Sequence, residues 1–145
     1  MNMKRLLLAI VVAFVIVFGT DFLIHGVWLT SEYEATKELW RSETDMNARF
    51  HWMLMAQLIG AAAFVIIWAK GFAGRDLGTA ITFGLLMGLA QQVWAIIDHV
   101  VMPVPGLLAA KWVLAGIAQC VLLAIATALI YKPETASGSG RGLPT

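Results

Sequence analysis

The sequence predicts an all-α fold, a transmembrane four-helix bundle running up-down-up-down with both termini cytoplasmic. Three observations carry this. The 145 residues are 60% hydrophobic and 13% charged, whereas a soluble domain carries about 25% charged residues. The apolar residues gather into four runs, each near the length of about 20 residues that crosses a bilayer. The runs are continuously apolar, which argues against a barrel, whose strands are shorter and alternate apolar with polar residues. Spans are expected near residues 6–29, 48–68, 78–102 and 107–131. Together they form one transmembrane domain over 1–132, followed by a disordered cytoplasmic tail over 133–145.

The first span follows Lys4 and Arg5. A cleaved signal peptide is its rival reading, with Lys4 and Arg5 as the basic start, residues 6–18 as the apolar stretch and Gly19 before the cut. Apolar residues continue through Phe22, Leu23, Ile24, Val27 and Leu29. They complete about 36 Å of helix, which favours a retained span. The connection over 31–47 is charged and carries Tyr33, Trp40 and Met46. Tyr33 and Trp40 are seven apart and so share a helical face. That suits a short helix lying at the interface, or an exposed loop with two aromatic anchors. A short turn with Gly71 and Gly74 joins the second and third spans, and Pro103 and Pro105 make the turn before the fourth. The tail from residue 133 is rich in Ser and Gly and reads as disordered.

Orientation comes from the basic residues. Lys4, Arg5, Lys70, Arg75, Lys132 and Arg141 gather on one side, against Lys37, Arg41 and Arg49 on the other. The positive-inside rule puts the first side in the cytoplasm and the first and third connections outside. Acidic Glu32, Glu34, Glu38, Glu43 and Asp45 collect in the outer first connection.

Ionisable groups within the spans lie near that outer side. Intramembrane charge is costly and marks a candidate functional site. Asp21 and His25 are four apart on one face of the first helix, about 13 and 6 Å below its outer end. His51 opens the second run, Asp98 and His99 close the third, and Lys111 begins the fourth. Gln91 shares a face with Asp98, and Gln92 with His99, while Gln57 and Gln119 add amides on helices two and four. The expected ligand- or proton-binding set is Asp21, His25, Asp98, His99, Lys111, Gln57 and Gln91. A metal ion, if one binds, would fall to His25, His99 and His51. Each member also has a plainer reading. Asp98 with Lys111 reads first as a structural ion pair, His51 and His99 as interfacial residues, and the glutamines as interhelical hydrogen-bonding glue.

Gly84 and Gly88 form a Gly-xxx-Gly pair, which admits a close helix either within the chain or in a homodimer. Cys120 is alone, so no disulfide framework exists. No His-Glu-x-x-His, Cys-x-x-Cys, phosphate-binding glycine loop or Gly-x-Ser-x-Gly occurs, so no catalytic residue is assigned. A net charge of +1 without a basic stripe excludes nucleic acid as a partner and leaves the lipid bilayer. Of the six tryptophans, Trp28, Trp40, Trp52 and Trp68 read as interfacial anchors. Trp94 is too deep to be an anchor and reads as packing before it reads as a pocket wall. Ala56-Gln57 and Ala118-Gln119 on the even helices, with Asp and His on both odd ones, suggest a faint internal repeat.

Asp21-Phe-Leu-Ile-His25-Gly26, then Tyr33, Leu39-Trp40-Arg41, Asp45-Met46, Pro103-x-Pro105 and Lys111-Trp112 form a recognisable series. It resembles small four-span bacterial integral membrane proteins of uncharacterised function, over most of the chain up to Tyr131. The resemblance implies four helices in a bacterial inner membrane and brings no activity with it. Three functions are expected candidates. The first is binding or transport of a proton, metal ion or small polar solute in the outer polar pocket. The second is a non-catalytic accessory or structural subunit of a membrane complex. The third is a haem-binding electron carrier with His25 and His99 as axial ligands.

Overall fold

A computed structural model describes residues 2–132, and the tail expected to be disordered lies outside them. Helix α1 spans Met3–Leu23 and starts at Asn2, whose side chain accepts the Arg5 amide hydrogen at 3.1 Å. A π turn, Ile24–Trp28, carries the chain on to α2 (Thr30–Ala35). A 3-10 turn over Lys37–Leu39 leads to α3 (Glu43–Ala48), capped by the Ser42 side chain. The long helices α4 (Phe50–Gly71), α5 (Leu77–Val101) and α6 (Gly106–Ile130) follow. Asp76 caps α5 by accepting the Thr79 amide at 2.7 Å, and that bond holds its carboxyl below the usual range. No strand occurs among the described residues.

Among the described residues, four helical stretches are long and apolar enough to cross a membrane: Met3–Trp28, Phe50–Gly71, Leu77–Val101 and Gly106–Ile130. Their outward faces are apolar too. Leu7, Val11, Val15, Leu86, Val100 and Leu114 are among the large hydrophobic side chains left exposed. An exterior of that kind suits hydrocarbon rather than water.

Packing follows the small residues. Helix α5 lies closest to α6, and α1 packs against α4 and α6. A Cβ on Gly84 would sit 2.6 Å from Val121 Cα, and one on Gly88 would sit 2.8 Å from Ile117 Cα. The glycine pair therefore serves α6 of the same chain. The homodimer expected through Gly84 and Gly88 would have to displace that helix, because both residues are already buried against it.

Two apolar clusters hold the ends. Leu6, Phe64, Trp68, Phe83 and Tyr131 belong to the larger one, at the end where α1 begins. Trp68 is fully buried there, ringed by Phe72 and Phe83 at centroid distances of 5.7 and 5.5 Å. The expected interfacial anchor at Trp68 is thus a core residue, because it lies on the face of α4 turned toward α5. At the other end, Leu29, Val104 and Leu108 are buried with Tyr33, Leu39, Trp40 and Trp112 around them. Through Tyr33, Leu39 and Trp40 the first part of the 30–49 connection packs against the start of α6, while residues 41–49 stay largely exposed.

Candidate functional site

The carboxylate of Asp21 is gripped by two helices. Gln57 on α4 donates from Nε2 to Oδ2 at 2.7 Å, and Gln119 on α6 donates from Nε2 to Oδ1 at 2.7 Å. An ionised carboxylate only accepts and an amide nitrogen only donates, so the chemistry matches. Gln119 also reaches Thr20 Oγ1 at 2.6 Å. The Oε1 atom of Gln57 is buried and makes no hydrogen bond.

Beside Asp21 opens a cavity of about 360 Å³ between α1, α5 and α6. Asp21, His25, Gln91, Gln92, Asp98 and Gln119 provide its polar wall, and Trp94 and Trp112 its aromatic one. The side chain of Asp98 makes no hydrogen bond or ion pair among the described residues. Gln92 lies flat over Gly116, where a Cβ would come within 2.0 Å of its Nε2. Trp94 is 68% exposed at the cavity's edge, so it is a wall and not the packing residue expected.

His25 sits on the π turn, a device that recurs at functional sites. Its Nδ1 lies 2.5 Å from the Tyr33 hydroxyl, and Trp112 donates its Nε1 hydrogen to the same oxygen at 2.9 Å. Tyr33, Trp40 and Trp112 pack ring on ring, with centroids 5.5–6.5 Å apart. Burial pushes the Tyr33 hydroxyl above its ordinary pKa, opposed by the Trp112 hydrogen bond. On the far side of this aromatic layer is a cleft of about 800 Å³. Its wall includes Tyr33, Trp40 and Met46, with His25 and Trp112 shared with the inner cavity.

Lys111 does not neutralise Asp98. Its Nζ donates to Glu32 of α2, 79 residues away, and lies 5.6 Å from the centre of the Trp28 ring. That hydrogen bond, helped by the Ser31 hydroxyl, holds the Glu32 carboxyl below the usual range. Depth in the membrane suggested Asp98 as partner, but helix rotation turns Lys111 toward the loop.

The other predicted residues scatter. His99 Nδ1 lies 2.6 Å from the Val104 carbonyl oxygen. A carbonyl only accepts, so Nδ1 carries the proton and His99 braces the turn before α6. His51 is exposed and packs on the neighbouring Trp52 ring at 5.2 Å. Among the described residues no three His, Cys, Asp or Glu side chains are placed to hold a metal ion, so the His25, His99 and His51 set is not assembled. Of the expected set, Asp21, His25, Asp98 and Gln91 share the cavity, and Gln57 touches it through Asp21. Sequence reasoning missed Glu32, Tyr33 and Trp112 as partners, because their contacts join a loop to helices far along the chain. The twin Ala-Gln pairs were the available signal for the Asp21 clamp. Comparisons with protein families, curated proteins and solved structures gave no match for the chain.

Proposed function

We propose that this is an inner-membrane protein of bacterial type that binds a small cation in the cavity beside Asp21, and that it does so from the outer side. The helices run up-down-up-down with both termini cytoplasmic, following the basic residues. One observation carries the reading. Two carboxylates, Asp21 and Asp98, line a single cavity in which no Lys or Arg is present, since Lys111 is turned to Glu32. A carboxylate left without a partner in a low-dielectric bundle favours uptake of positive charge. The volume is near the lower end of ligand pockets, about 300–1,000 Å³, which fits a compact guest.

The test is a thermal-unfolding series in nanodiscs with methylammonium, guanidinium or magnesium added. Asp98→Asn is expected to lose any cation-induced rise in Tm while keeping or raising the Tm of the free protein. A stability loss in Asp98→Asn with no cation effect in the wild type would count against the reading. A second reading, a structural subunit whose polar groups only hold helices together, has one observation in its favour. Both oxygens of Asp21 are already used in helix-to-helix hydrogen bonds.

A further inference from the structure

His25 and Trp112 form a partition with the acidic cavity on one side and the cleft of the 30–49 connection on the other. Tyr33 belongs to the cleft side alone. We propose that the ion taken up by the cavity is a proton, passed from the cleft through the Tyr33 hydroxyl and the His25 ring to Asp98. This inference rests on the cation-binding reading above.

The hydrogen-bond order sets the direction of each group. The indole N–H of Trp112 can only donate, so it occupies a lone pair of the Tyr33 oxygen at 2.9 Å. The Tyr33 hydrogen is then free to point at His25 Nδ1, 2.5 Å away. A neutral imidazole accepting at Nδ1 carries its own proton on Nε2. Tyr33 itself stays protonated, since burial raises its pKa.

Loading balances as follows. A hydronium ion in the cleft gives a proton to the Tyr33 oxygen while Tyr33 passes its hydroxyl proton to His25 Nδ1. The ring is briefly imidazolium. Its Nε2 proton then moves to the Asp98 carboxylate, directly or through one cavity water. Water is left in the cleft, Asp98 becomes a neutral carboxyl, and His25 is neutral with its proton on Nδ1. Unloading runs the same steps backwards and restores the first tautomer, so no ring flip is needed.

The surroundings suit a one-sided path. His25 lies by Asp21 of its own helix, meets the Tyr33 hydroxyl of α2 and shares the cavity with Asp98 of α5. Glu34, Lys37, Arg41 and Glu43 line the cleft, two acids against two bases. Helix α6 contributes Trp112, with Lys111 tied to Glu32. Toward the other end of the bundle, Ala61, Phe64, Val65, Leu123 and Ala124 belong to a mainly apolar core, in which no carboxylate or imidazole is found among the described residues.

A pH jump by rapid mixing on nanodisc-embedded protein, followed by the infrared carboxyl C=O band, tests this. The signal belonging to Asp98 is the part of the band lost in Asp98→Asn. Tyr33→Phe keeps the ring packing and removes the hydroxyl. It is expected to reach the wild-type amplitude at a rate slowed by roughly tenfold or more, and His25→Gln is expected to be slowed as well. A merely structural role would alter the amplitude or stability, not the rate alone. Wild-type rates in both variants, with the Asp98 band intact, would overturn the relay and leave the cavity as a proton site reached another way. A band unchanged by Asp98→Asn would overturn the relay and the proton as cargo, while the thermal series with other cations would still decide the cavity reading.

Discussion

Gln57 donates to Asp21 at 2.7 Å and has nothing else to hold, since its own Oε1 is buried without a partner. Gln119, the other arm of the clamp, keeps Thr20 Oγ1 as a second acceptor. The two arms therefore respond differently when the carboxylate is removed. Asp21→Ala is expected to lower unfolding stability by about 1–3 kcal/mol, chiefly by orphaning the Gln57 amide. Adding Gln57→Leu should return part of that loss, because an apolar side chain needs no partner in the bundle. Adding Gln119→Leu should return less. Equal recovery from both, measured by thermal unfolding in one lipid, would show that the arms are equivalent.

Glycines on α5 and α6 answer to two kinds of neighbour. A methyl group at Gly84 would meet the α6 backbone, Val121 Cα at 2.6 Å and Cys120 O at 2.7 Å. Backbone cannot step aside, so Gly84→Ala is expected to part α5 from α6 and destabilise by about 1–3 kcal/mol. At Gly116 the obstacle is the flexible end of Gln92. Gly116→Ala should leave Tm within a few degrees of wild type yet change cation binding, since Gln92 must swing from its seat in the cavity wall. Thermal unfolding and cation titration on the two variants separate these effects.

The four long apolar helices were legible because continuous apolar runs of that length favour helix, the form that satisfies its own backbone in lipid. Depth along each helix also brought Asp21, His25, Gln91 and Asp98 to the same half of the bundle, and they share a cavity. Depth says nothing of rotation, which is why Lys111 and His51 were grouped with them and face elsewhere. The π turn at residues 24–28 was not legible either. It shifts the helical register just where His25 leaves the α1 face, and Tyr33, eight residues on, becomes its partner. Trp68 shows the same limit from the other side, an aromatic at anchor depth that turns inward.

Acid should loosen the folded connection before it touches the spans. Glu32 has a pKa below its ordinary value of 4.5, first through its hydrogen bond with Lys111. A carboxyl with a depressed folded pKa contributes stability that is full above the ordinary value and is lost as pH falls through the lowered one. The protection of residues 30–39 against hydrogen exchange, corrected for the intrinsic pH dependence of the amide chemistry, is therefore expected to fall in wild type as pH drops through the lowered Glu32 value. Lys111→Met should show the lower protection already at pH 7 and little further change in acid. Protection that stays constant with pH in the wild type would mean the pair does not hold α2 in place.

Trp112 governs which ring nitrogen of His25 carries the proton, although it does not touch His25 by hydrogen bond. Its N–H fills one lone pair of the Tyr33 oxygen and leaves the hydroxyl hydrogen to point at Nδ1. In Trp112→Phe the aromatic stack with Tyr33 and Trp40 keeps most of its area while that N–H is gone. The oxygen can then accept from Nδ1–H as readily as the hydroxyl can donate to it. Nitrogen-15 NMR of imidazole-labelled protein, at a pH where His25 is neutral, should show one tautomer with the proton on Nε2 in the wild type. The variant should show a mixture of both. A wild-type ring already protonated on Nδ1 would reverse the donor order at Tyr33 and turn the hydrogen-bond chain around.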